Sequence, residues 1–211
     1  MQREPDSKPL TRRFEDAFRY AFSLHGNQRR KGSGIPYMAH LMTVAALTLE
    51  DGGDEDEAIA ALLHDAVEDH GGLATLEEIR RRYGARVADI VAGCSDTLTS
   101  PKPPWKQRKQ DYLARLPSES PAVLRVSLAD KLHNTRCILR DLRRSGESTW
   151  ERFNGGKDGS LWYYRSLLRI FQLVYSSPMV TELGLVLDEI NRLADTPPAP
   201  AADLSGDNQL N

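Results

Sequence analysis

Residues 58–63 read Ala-Ile-Ala-Ala-Leu-Leu, apolar on every face of a helix rather than along one stripe. A helix of that kind is stable only where neighbouring elements enclose it. The rest of the chain supplies those neighbours. Apolar residues recur at helical spacing and predict helices over 12–25, 37–51, 54–70, 75–83, 84–98, 105–116, 120–145, 158–176 and 179–194. No stretch shows sustained alternation with the β-branched and aromatic enrichment of strands. GSGIP, DGG, GG, SPKPP and RFNGGKDG fall between the predicted helices, so the connections are short and the expected fold class is all-α, a single helical bundle.

A chain of 211 residues buries a continuous core without disulfides. One domain over 12–195 is expected, with the proline-rich tail 196–211 disordered. The net charge of -2 gives no global pull toward nucleic acid, so an anion site must be a local patch. Cys94 and Cys137 lie far apart with no CxxC partner, which points to a reduced compartment and away from a cysteine metal site. The charged N-terminus carries no signal-like apolar run, and no segment reaches the roughly 20 apolar residues of a membrane span. A cytoplasmic protein with no nucleic-acid or membrane partner is expected.

Against this apolar background several charged residues are out of place. The enclosed helix ends in His64, Asp65, Glu68 and Asp69. Three carboxylates there repel one another and oppose the negative end of the helix dipole. A bound cation relieves the conflict; a solvated last turn is the plain alternative. Asp130 interrupts a helix face formed by Val123, Val126 and Cys137, and an ionised carboxylate there needs a metal or a salt-bridge partner such as an arginine. His40 lies at helical spacing from Val44 and Leu47, where a hydrogen-bonded core histidine is the ordinary case. Taken together, two imidazoles and two carboxylates form a set suited to Mn²⁺, Fe²⁺ or Zn²⁺ with positions left for water.

The order His40, His64-Asp65, Asp130 resembles the HD superfamily of metal phosphohydrolases. The surrounding text, HGNQRRKGSGIPYMAH, ALLHDAVEDH and VSLADKLHNTR, is similar to successive motifs of the small alarmone hydrolases and of the hydrolase domain of bifunctional alarmone synthetase-hydrolases. That resemblance implies metal-dependent hydrolysis of ppGpp or pppGpp, releasing pyrophosphate from the ribose 3′ position and leaving GDP or GTP. It further implies one Mn²⁺ held by His40, His64, Asp65 and Asp130, with Glu68 and Asp69 assisting the attacking water and proton transfer. Arg30, Lys31 and Asn134 match nucleotide-contacting positions, while Lys102, Lys109 and Tyr163 are further candidates in segments without a sharp motif. Leu41 stands where many relatives have proline, Lys131 replaces a common arginine, and the loop after Lys31 is one residue longer; no proposed ligand is lost. Two rival functions stay open: a metal phosphatase of another nucleotide such as NADPH, and a catalytically silent nucleotide-binding sensor. The basic run at 79–86 reads as an exposed helix face, and the aromatic stretch at 161–165 as core.

Overall fold

In a computed structural model that describes residues 9–98 and 101–195, the chain runs through α1 (Arg12–His25), α2 (Met38–Glu50), α3 (Glu55–Leu63), α4 (Ala66–Asp69), α5 (Leu73–Tyr83), α6 (Ala85–Cys94), α7 (Trp105–Arg115), α8 (Pro121–Ser145), α9 (Gly156–Val174) and α10 (Pro178–Asp195). Short 3-10 segments at Leu116–Ser118 and Gly146–Arg152 flank α8. Among the described residues there is no strand, only an isolated bridge between Arg29 and Pro36. No helix among the described residues is long and apolar enough to cross a membrane. The expected disordered tail, 196–211, lies outside the described residues.

Local chemistry starts the helices where the periodicity places them. Thr11 caps α1, Ser120 caps α8 ahead of Pro121, and Asp54 with Glu57 forms a reciprocal capping box on α3. Ala58 to Leu63 are all at most 1% exposed, because α1, α2, α6 and α8 surround α3. Glu57 is buried too and is neutralised by Arg125, which also reaches Asp51. On the other side of α8 lies α10, while α9 packs against α7. The central pair α3 and α8 therefore carries its polar residues inside the bundle.

Two expected helices end differently. The segment 54–70 is not one helix: it breaks at His64-Asp65 and resumes as α4. In a regular helix the Ala61 carbonyl accepts from the amide of residue 65. Here the His64 ring competes for it, with Nδ1 2.7 Å from that oxygen, and Asp65 sits at φ -93°, ψ -6°. The segment 84–98 stops at Cys94, where Ser95 turns extended and its hydroxyl bonds back to the Val91 carbonyl. Both departures are side-chain to backbone competitions, and both shape the site.

Candidate metal centre

His40 lies in the first turn of α2, held there by a tight loop. Arg30 N–H donates to the Ile35 carbonyl at 2.9 Å and Tyr37 N–H to the Gln28 carbonyl at 2.9 Å, with Gly32 at φ 82° between them. His64 and Asp65 occupy the break between α3 and α4, and Asp130 lies midway along α8. The structure brings all four together. His40 Nε2 is 3.5 Å from Asp65 Oδ2 and 3.3 Å from Asp130 Oδ1, and His64 Nε2 is 3.1 Å and 3.7 Å from the same two oxygens.

These contacts are not ordinary hydrogen bonds. Both Nε2 atoms are buried and lack a hydrogen-bond partner of acceptable geometry. The Ala61 carbonyl can only accept, so His64 Nδ1 carries a proton, and in its neutral form the ring turns an Nε2 lone pair toward the cluster. Ligand atoms about 2.1 Å from one cation lie roughly 3.0–3.5 Å apart at right or tetrahedral angles. The four observed separations fall in or near that range, and His40, His64 and Asp65 place donor atoms within 4.8 Å of one another. The residues fit a divalent cation.

The two carboxylates call for positive charge at this point, supplied by a proton on an imidazole or by a divalent cation in its place. Burial opposes the charged form of His64, but Asp65 and Asp130 outweigh it and hold the imidazole well above its usual range. Burial likewise disfavours the ionised carboxylates; His64 and His40 nevertheless keep Asp65 well below the usual carboxylate range, and Lys131 with the two imidazoles does the same for Asp130. Tyr37 donates to Asp65 Oδ2 at 2.5 Å, Asn134 Nδ2 to Asp130 Oδ1 at 2.5 Å, and Lys131 to Asp130 Oδ2 at 2.6 Å. Partners of this kind orient the donor atoms and tune their basicity. His133 completes the surround, its Nδ1 lying 2.7 Å from His40 Nδ1. Burial and the nearby His40 and Arg30 hold His133 down at about 4, so it stays neutral and can accept from His40.

The break sends the two following acids to different places. Glu68 turns toward the chain after α6, accepting from Asp96 N–H at 2.8 Å with Lys102 at 3.8 Å. Burial beside the Asp96 and Asp65 carboxylates pushes Glu68 up to about 7. Asp69 turns the other way and accepts from Gln28 Nε2 at 2.8 Å. It lines two cavities, one of ≈ 480 Å³ that also includes His40, and one of ≈ 490 Å³ that includes Glu68 and Lys102.

The first cavity has the size of a nucleotide-scale pocket. Arg29, Arg30, Lys31, Arg140 and Arg152 line it together with Tyr37, Asn134 and Tyr164. Arg30 reaches inward, donating to Asn134 Oδ1 at 2.5 Å, and so joins the chain that ends on Asp130. Lys31 stays exposed. Lys109 and Tyr163 line a smaller cavity of ≈ 180 Å³ that shares Asn134 and Tyr164 with the first. There Lys109 is tied to Asp96 at 2.7 Å and lies 4.9 Å from the Tyr163 ring centre. Lys102 sits apart, 46% exposed, beside Glu68. The partner of Asp130 is thus its neighbour Lys131, with Arg30 reaching it only through Asn134. Tyr37, His133, Gln28 and Asp96 were not singled out by sequence, although Gln28 and Tyr37 bracket the glycine loop in the motif text.

Comparison with known proteins places this geometry in a family. Residues 17–160 match the HD domain, a span containing His40, His64, Asp65 and Asp130. The mouse guanosine-3′,5′-bis(diphosphate) 3′-pyrophosphohydrolase MESH1 is 38% identical over 138 residues, covering 64% of this chain and 72% of that protein. A guanosine-3′,5′-bis(diphosphate) 3′-pyrophosphohydrolase of Aquifex aeolicus is 37% identical over 125 residues, 58% of this chain but 17% of that longer protein. The solved structure of a metazoan ortholog of SpoT, described as hydrolysing ppGpp with a role in starvation responses, superposes with a TM-score of 0.68 at 26% identity, covering 88% of this chain and 97% of that one. The chain belongs to the HD domain family.

Proposed function

We propose that this protein hydrolyses ppGpp and pppGpp at the ribose 3′ position, releasing pyrophosphate and leaving GDP or GTP, with Mn²⁺ as its divalent ion. The observation that carries the reading is the convergence of His40 Nε2, His64 Nε2, Asp65 Oδ2 and Asp130 Oδ1, with His40 also lining a cavity that carries five lysine and arginine side chains. The names of the relatives supply the substrate.

His40, His64, Asp65 and Asp130 would hold the ion, which when bound supplies Lewis acidity toward a phosphoryl oxygen and a more acidic water. The chain's own groups do the rest. Arg30 and Lys31 supply charge-assisted hydrogen bonds to the polyphosphate, and Asn134 presents polar atoms to both the first cavity and the smaller one beside it. Asp69 borders the cavity and accepts or donates a proton at its carboxylate; Glu68, poised near neutrality, does so on the far side of α4. Lys102, Lys109 and Tyr163 flank these positions and offer secondary phosphate contacts.

The test is product analysis of purified protein with Mn²⁺ and ppGpp, alongside NADPH and nucleoside monophosphates under the same conditions. GDP and pyrophosphate from ppGpp, in preference to turnover of the other nucleotides, is the expected result. Dephosphorylation of NADPH without ppGpp turnover overturns the substrate assignment. Tight ppGpp binding with no product makes the protein a sensor instead.

A further inference from the structure

His25, the last residue of α1, is fully buried and does not line the cavity. Its Nδ1 is nevertheless 2.6 Å from Gln28 Oε1, and Gln28 Nε2 is 2.8 Å from Asp69 Oδ2. The chain of donors is fixed from its far end. An ionised carboxylate can only accept, so the Gln28 amide must turn its NH₂ to Asp69 and its carbonyl to His25. A carbonyl can only accept in turn, so His25 must carry its proton on Nδ1. Burial holds His25 below the usual imidazole range, which keeps it neutral with one proton to place.

The other ring nitrogen bears out this direction. His25 Nε2 is buried without a hydrogen-bond partner, and the ring is packed between Tyr37, stacked at 5.3 Å, and the edge of His70 at 4.6 Å. An imidazole free in water prefers its proton on Nε2, so the protein imposes the less common tautomer and leaves a nitrogen unpaired to do it.

Asp69 needs such a clamp because its backbone supplies little. It ends a four-residue helix, followed by an extended His70 and by Gly71 and Gly72, both at positive φ. From these observations we infer that His25 is a positioning residue for hydrolysis: by fixing the Gln28 amide, it directs the Asp69 carboxylate into the cavity. The inference rests on the proposed function through the role given to Asp69. The same His25–Tyr37 stack also anchors Asp65, since Tyr37 donates to Asp65 Oδ2, so one buried ring braces both acids.

The test uses the full-length, Mn²⁺-loaded protein with His25→Ala, His25→Asn and Gln28→Met. An asparagine amide can place an N–H near the position of Nδ1, whereas alanine cannot. His25→Ala should lower kcat for ppGpp about 10- to 100-fold, with metal content and KM within about twofold of wild type, while His25→Asn recovers to within about threefold. If His25→Ala does not fold, the His25→Asn and Gln28→Met pair carries the kinetic test, the latter losing kcat and the former keeping it. Independently of turnover, ¹⁵N NMR of the imidazole, with diamagnetic Mg²⁺ in place of Mn²⁺, should find the Nδ1–H tautomer in wild type and its loss in Gln28→Met. A wild-type kcat in His25→Ala or Gln28→Met, a His25→Asn variant as slow as His25→Ala, or an Nε2–H tautomer in wild type overturns the inference. If wild type fails to turn over ppGpp, the proposed function falls, and the tautomer measurement still decides the relay.

Discussion

Asp130→Asn removes one negative charge with almost no change of volume, and its consequences can be worked from the surroundings. The Asp130 side chain is 8% exposed and its Lys131 partner 13%, with 2.6 Å between the charged atoms. Lys131 neutralises a carboxylate that stays ionised far below its usual range, so the substitution strands a buried ammonium. Breaking a buried pair from one side costs about 3–5 kcal/mol. At about 2–4 °C per kcal/mol for a domain of this size, Tm should fall by roughly 6–20 °C. Adding Lys131→Met to Asp130→Asn removes the stranded charge and should restore most of that loss. It should not restore the metal, because the oxygen facing both Nε2 atoms no longer carries charge. The assay is thermal unfolding of wild type, single and double variants with and without a chelator, together with metal content after gel filtration. In wild type, chelation should abolish activity and lower Tm, since an ion at 100 times its Kd stabilises by about 2.7 kcal/mol; in both variants it should change little. An Asp130→Asn protein with wild-type Tm and full metal content refutes the assignment, and failure of Lys131→Met to recover stability refutes the pair argument.

Three further outcomes are expected. Glu68→Gln and Asp69→Asn should retain metal and KM, with at least one lowering kcat by roughly 100-fold; near-normal kcat in both would remove these acids from the chemistry. In chelated protein Glu68 binds its proton more tightly folded than unfolded, so its contribution to stability is present below pH 4.5 and is lost as pH rises through about 7. Denaturant titrations across that window should show a difference on the order of 3 kcal/mol in pH dependence between wild type and Glu68→Gln, and superimposable profiles would contradict it. Arg30→Ala should raise KM for ppGpp by about tenfold or more, the value of one charge-assisted hydrogen bond. It should also weaken metal retention, because Asn134 loses its anchor. Lys31→Ala should raise KM alone, in a salt-dependent way, and equal metal loss in both variants would count against the Arg30–Asn134–Asp130 chain.

What could be read from the sequence follows from what periodicity registers. It places α1 and α8 to within a residue, because both have strong stripes and side-chain caps. His40, His64, Asp65 and Asp130 stand out because each interrupts an otherwise apolar helical face, and the fold then brings them to one point. The break in 54–70 is invisible to the same signal. It arises from a single bond between His64 Nδ1 and the Ala61 carbonyl, made while Ala58–Leu63 still read as continuous helix. Long-range pairs are hidden for a related reason. His133 looks like one more polar position on α8 until it meets His40, 93 residues earlier, and Gln28 gains its meaning only from Asp69, 41 residues later.

That break also gives the acids of one short segment two different surroundings. In an unbroken helix Glu68 would lie one turn beyond His64 and Asp69 one turn beyond Asp65, on adjoining faces at similar depth. By taking the Ala61 carbonyl, His64 interrupts the ladder at the residue that must point into the bundle, and Asp65 leaves regular geometry beside it. The new turn, α4, then starts from a different direction and carries Glu68 to Asp96 while leaving Asp69 for Gln28. The two acids consequently differ in environment: one is buried against like charge and pushed toward neutrality, the other is held by an amide at the cavity wall. Separating two carboxylates in this way is how a site assigns them distinct proton-transfer duties. A substitution that repaired the helix, such as one removing the His64 ring, would therefore disturb the placement of Glu68 and Asp69 as well as the donor set.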